Sequence, residues 1–100
     1  MIVTVREEGS WIKVYDEKSR KISQMGSQGI IVVGIAADFF VVVQGSRIKT
    51  YDENCRKISQ MGASSIVVCG AAGQHFIVKE GNWLKVYDKH CKKVSQRSAK

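Results

Sequence analysis

The side chains in this sequence that could do chemistry recur every 36 residues. Lys13, Lys49 and Lys85 form one series, and Arg20–Lys21, Arg56–Lys57 and Lys92–Lys93 form a second. Cations at a regular spacing can hold phosphates by Coulomb attraction and counterion release. The competing reading is a solvated, lysine-rich edge that discourages strand-to-strand association. Trp11, Arg47 and Trp83 make a third series at one repeat position. Such side chains can stack on sugars, bases or a partner's side chains, or the tryptophans can pack between neighbouring sheets.

The nucleophiles and metal ligands lead elsewhere. Cys55 and Cys91 share a repeat position that Ser19 fills in the first copy, so this thiol reads as a turn residue. Cys69 aligns with Val33 inside an apolar run and reads as a small core hydrophobe. His90 and Cys91 are adjacent, which is not a zinc spacing, and no second pair stands elsewhere. No cysteine has a base oriented by a third group nearby in sequence. The expectation is a non-enzyme with no metal and no cofactor.

Composition narrows the class further. Lys and Arg number 16 against 9 Asp and Glu, for a net charge of +7. That balance favours anionic partners such as nucleic acid or another polyanion, acidic glycans or a membrane surface, although it also serves simple solubility. Three cysteines argue against a disulfide framework, so a reducing, cytoplasmic location is expected. The first residues lack the basic and apolar regions of a signal peptide. No apolar run reaches the roughly 18 residues of a membrane helix, so no membrane partner is expected.

The elements that must position these residues follow from the repeat, which is sought before any other structure. Gly9, Gly45 and Gly81 each open a similar run: GSWIKVYDEKSRKISQMG, GSRIKTYDENCRKISQMG and GNWLKVYDKHCKKVSQRS. Residues 9–44 and 45–80 are identical at 20 of 36 positions, so the chain arose by duplication. It reads as one repeat domain over 1–100, with units 1–26 (partial), 27–62 and 63–100.

Four strand-like runs fill each unit, and they are too short and too poorly spaced for helices. In the middle copy, strand b is FFVVVQ (39–44), β-branched and aromatic. Strand c is RIKTYD (47–52), with Ile48 and Thr50 on one face and Arg47, Lys49 and Tyr51 on the other. Strand d, RKISQM (56–61), is polar enough to be an outer strand. Strand a, SIVVCGAA (65–72), reads as buried on both faces. Asp16, Asp52 and Asp88 end strand c and suit Asx-turns. Gly9, Gly45 and Gly81 suit tight reversals with positive φ. Tyr15, Tyr51 and Tyr87 repeat without change and read as structural. The chain therefore reads bcd, abcd, abcd, eleven strands in all.

The run VGIAADFFVVVQGSRIKTYDENCRKISQMG from Val33 resembles the NHL repeat of β-propellers. The matching residues are Gly34, Ile35, Ala36, Asp38, Arg47, Ile48, Tyr51, Asp52 and Lys57, and in the next copy Gly70, Ala72, Leu84, Tyr87, Asp88 and Lys93. The Ile12–Asp16 run is also similar to WD-repeat propellers. The unit is several residues shorter than an NHL blade, in the a–b and b–c turns. The resemblance implies an all-β fold of propeller blades, each of four antiparallel strands. It also implies a binding role, to RNA through a basic face or to proteins. A propeller needs about four to eight blades to close, so about three per chain imply a homo-oligomer, most simply a dimer of six blades. The alternative fold is a three-sheet β-prism closing within one chain, as in mannose-binding lectins, which would carry a glycan ligand. A purely structural, self-assembling protein is the third reading.

Overall fold

The computed structural model describes residues 2, 4–63 and 65–98, and every regular element in it is a strand. Strands β1 (Thr4–Glu8), β2 (Trp11–Tyr15) and β3 (Lys21–Gly26) form the first sheet. Strands β4 (Ile30–Ile35), β5 (Phe39–Gln44), β6 (Arg47–Asp52) and β7 (Lys57–Gly62) form the second. Strands β8 (Ile66–Ala72), β9 (His75–Glu80), β10 (Trp83–Asp88) and β11 (Lys93–Ser98) form the third. Each sheet is an antiparallel meander in chain order, three-stranded in the first sheet and four-stranded in the other two. The order bcd, abcd, abcd expected from the repeat is the order observed.

Turn chemistry fixes these meanders. Gly9, Gly45 and Gly81 have φ near +60°, and each opens a two-residue loop between strands b and c. Glycine first in such a loop is the pattern of a type II′ hairpin, whose twist matches its strands. At each c–d turn the aspartate Oδ1 accepts two backbone N–H groups, at 2.9 to 3.0 Å. The donors are Lys18 and Arg20, Asn54 and Arg56, and His90 and Lys92. The price of this tight loop is a non-glycine residue in left-handed backbone, Ser19, Cys55 or Cys91, each at φ 61°.

Every sheet has two distinct faces. One carries the even residues of strand c (Ile12 and Val14, Ile48 and Thr50, Leu84 and Val86) and is termed the aliphatic face. The other carries Trp11, Lys13 and Tyr15 or their equivalents, backed in sheets two and three by a phenylalanine of strand b, and is termed the aromatic face. The aliphatic face of the first sheet packs on the aromatic face of the second, where Ile12 and Val14 meet Phe40, Val42 and Tyr51. The same contact is repeated one sheet on, where Val41 and Ile48 meet Phe76 and Val78. These are two separate cores, and the second sheet is shared between them. Phe40 stacks on Tyr51 and Phe76 on Tyr87, both with centroids 5.6 Å apart.

The strand buried on both faces is β5 and not strand a. Phe39, Phe40, Val41 and Val42 are all fully buried, whereas Ile31 and Val67 on β4 and β8 are 64% and 65% exposed. The reason is position: strand a is an edge strand, while b lies inside the meander and is roofed by a neighbouring sheet on each side. The small residues of strand a serve a close approach. A Cβ on Gly34 would stand 3.1 Å from the Cβ of Ala71, so β4 and β8 nearly touch. Cys69 is exposed and is not the core residue expected.

Candidate functional site

The up-and-down order places the a–b and c–d turns at one end of every sheet and the b–c turns at the other. Hydrogen bonds between sheets then align the c–d turns in a row. Ser23 Oγ of the first sheet donates to the carbonyl of Glu53 in the second sheet's turn. Ser59 Oγ of the second sheet donates to the carbonyl of His90 at 3.0 Å, and Thr50 Oγ1 to that of Lys89 at 2.7 Å. Asp38 adds a further tie, accepting from Gln74 at 3.1 Å and pairing with Lys89 at 3.1 Å. Burial opposes its charge, yet those two donors hold its carboxyl below the ordinary range.

The expected basic residues divide into two groups. Arg20, Lys21, Arg56, Lys57, Lys92 and Lys93 are all exposed along this rim. Lys21, Lys57 and Lys93 each donate to a glutamine three residues on, Gln24, Gln60 and Gln96, which orders their stems along strand d. Lys13, Lys49 and Lys85 are different. They lie half-buried on the aromatic faces and bond Glu8, Gln44 and Glu80 across the hairpin. Lys13 draws the Glu8 carboxyl below its usual range, and Glu80 raises Lys85 above its own. These three lysines are tied within their sheets, separate from the rim.

Trp11, Arg47 and Trp83 stand at the opposite end, beside the b–c turns. Both tryptophans are nearly half exposed, at 46% and 47%, and Arg47 is exposed. Rather more than half of each tryptophan is covered and the rest faces outward. The geometry does not unite this row with the basic turns.

Burial raises the Cys55 and Cys91 thiols above their usual range. All three cysteines are free. Among the described residues, no three His, Cys, Asp or Glu side chains gather where a metal could sit.

Two features escaped the sequence reading: the serine of strand d and the left-handed residue of the c–d turn work as a pair. Cys55 Sγ lies 3.1 Å from Ser23 Oγ, and in the next sheet Ser59 and Thr50 bond the carbonyls of His90 and Lys89, the two residues that precede Cys91. The serines Ser23, Ser59 and Ser95 are invariant in the three copies, and that signal was present in the sequence.

The turn aspartates make a pH prediction. Backbone N–H groups, of Arg20 first for Asp16 and of Lys92 first for Asp88, hold both carboxyls below their ordinary range. A depressed folded-state pKa adds stability above the unfolded value, lost as pH falls through the folded one. The unfolding temperature is therefore expected to fall below about pH 4. Asp88→Ala should lower it at neutral pH and flatten part of that acid limb. Asp88→Asn, which keeps an acceptor oxygen, should lower it less. Thermal melts across a pH series check both.

Comparison with known proteins adds to the fold alone. No protein-family profile matches the chain, and no curated protein matches it. A solved structure described as KlHsv2 with loop 6CD replaced by a Gly-Ser linker is similar, with a TM-score of 0.61 at 15% identity. The match covers 91% of this chain and 32% of that one, so this chain spans about a third of that structure's length.

Proposed function

We propose that this chain is a non-catalytic binding and scaffold module of propeller-type blades that associates with itself, each copy supplying three blades. One observation carries the reading: the outer face of the third sheet is the aliphatic half of an interface the chain already builds twice. At the same repeat position, Val41 is fully buried in the second sheet and Ile77 is 42% exposed in the third. Ile48 and Thr50 are fully buried, and their equivalents Leu84 and Val86 are only half so. The outer aromatic face of the first sheet keeps Tyr15 but carries Thr4 and the exposed Arg6 where the second sheet carries the buried Phe40 and Val42, so it offers a more polar partner surface.

An open arc is favoured over a closed three-sheet prism by three things. The described residues form two cores, not three, and each joins consecutive sheets. The array is elongated, 40 × 25 × 20 Å. Its inner strands β4 and β8 converge, as blades around an axis do. Two such arcs would give six blades, within the range that closes a ring. The likeness of Gly34–Lys57 to NHL blades supports the same arrangement. Light scattering across a concentration series tests the reading. The expected mass is twice the 11.1 kDa of the chain, and a single-chain mass throughout would overturn it.

The aligned c–d turns support a second activity on the same platform, the binding of a polyanion by the exposed rim cations. Duplex DNA and heparin are suitable probes. Affinity should fall steeply with salt, and replacing Arg56, Lys57, Lys92 and Lys93 by alanine should weaken it further. Binding that ignores salt, or that survives those substitutions, would count against this rim.

A further inference from the structure

Each interface inside the chain has a knob and a seat. The knob is the left-handed residue of a c–d turn, Cys55 or Cys91, both half-buried. The seat lies on the aliphatic face of the preceding sheet, where strand c offers Val14 or Thr50 and strand d offers Ser23 or Ser59. In both interfaces the seat's serine donates to a carbonyl of the incoming turn, and in the first the knob sulfur lies 3.1 Å from that serine.

The third sheet carries the same seat with nothing in it. Leu84, Val86, Ile77, Ser95, Gln96 and Arg97 line an open cleft of about 350 Å³ there. Ser95 is exposed, whereas Ser23 and Ser59 are half-buried. The first sheet carries the same knob with nothing around it. Ser19 holds φ 61°, like Cys55 and Cys91, and its turn is built by the same aspartate bonds, yet Ser19 is exposed. The vacant seat and the unseated knob are at opposite ends of one array.

Resting on the self-association reading above, we propose that the cleft on the third sheet receives the Ser19 turn of a second copy, head to tail. Ser19 Oγ of the second copy takes the place of the knob sulfur against Ser95. Ser95 Oγ then donates to a backbone carbonyl at Glu17 or Lys18, the repeat equivalents of Glu53 and of His90. Two copies each offer one seat and one knob, so a dimer satisfies both and closes. Continuity with the internal interface singles out this occupant, because the seat's chemistry has been met twice by this turn.

Ser-for-Cys exchange at the knob is natural to the repeat, which gives the test a clean background. A chain with Cys55→Ser, Cys69→Ser and Cys91→Ser would receive Ser19→Cys and Ser95→Cys, singly and together, and be oxidised with copper phenanthroline. The double variant is expected to run as a reducible covalent dimer, and neither single variant should. Cross-linking by Ser95→Cys alone would show two third sheets meeting and overturn the head-to-tail seat while leaving self-association standing. A dimeric mass with no cross-link in the double variant would also overturn the seat alone. A monomeric mass would overturn both readings. Val86→Glu is the companion variant, expected to convert dimer to monomer with an unchanged far-ultraviolet spectrum, and a dimer that survives it would refute the seat.

Discussion

Phe40→Ala is expected to cost about 3–5 kcal/mol of folding stability, as phenylalanine truncations in packed cores do. Phe40 is fully buried on β5, at the centre of the contact between the first and second sheets, and its ring stacks on Tyr51. Its loss opens a cavity and strips Tyr51 of its stacking partner together. A domain of this size holds only about 5–15 kcal/mol in all, so the variant should be marginal or unfolded at ambient temperature. Ile77→Ala is the control. Ile77 is comparably apolar but 42% exposed on the outer face of the third sheet. Urea titrations should show a far smaller shift for a dilute Ile77→Ala chain than for Phe40→Ala. A Phe40→Ala loss under about 1 kcal/mol, within the range of surface changes, would mean that the first two sheets do not share this core.

The second large effect is expected at Gly34. A Cβ there would already stand 3.1 Å from Ala71 Cβ and 3.3 Å from its backbone nitrogen. Gly34→Leu would force a branched side chain between β4 and β8. Overpacking typically costs about 1–3 kcal/mol, and here the strain falls where the second and third sheets meet. Gly62→Ala makes the contrast. Nothing lies within 4 Å of that position, and its backbone is not left-handed. There alanine narrows the unfolded ensemble and should raise stability by about 0.4–1 kcal/mol. Thermal melts of the two variants should therefore move in opposite directions.

Much of the fold was legible because duplication repeats each local signal. The glycine of each b–c turn, the aspartate of each c–d turn and the alternation along Arg47–Asp52 name their roles in three contexts. The burial of strand a was misread because a small, apolar run looks the same whether it is roofed on both faces or closely approached along one edge. Only the packing of Gly34 against Ala71 separates the two. The candidate sites were legible by residue and not by grouping. A 36-residue spacing cannot say that Lys13, Lys49 and Lys85 turn inward to Glu8, Gln44 and Glu80, because those partners lie across a hairpin. Nor can it say that the tryptophans and the basic turns occupy opposite ends. The pairing of Ser23 with Cys55 stayed hidden because it joins side chains 32 residues apart on neighbouring sheets.

Strands β3 and β7 are the same six residues, KISQMG, and they pair with β2 and β6 in the same register. Local pairing energy therefore does not tell the chain which of the two belongs beside which partner. Nearness along the chain decides it, since each follows its proper neighbour after one short turn. When two chains fold at high concentration that advantage shrinks, and either strand can dock on the other chain's β2 or β6 without a mispaired residue. Repeat proteins fail characteristically in this way. Refolding yield of this chain should consequently depend on concentration well before aggregation sets in, with exchanged-strand dimers as the by-product. One substitution that makes β3 and β7 unlike should suppress them.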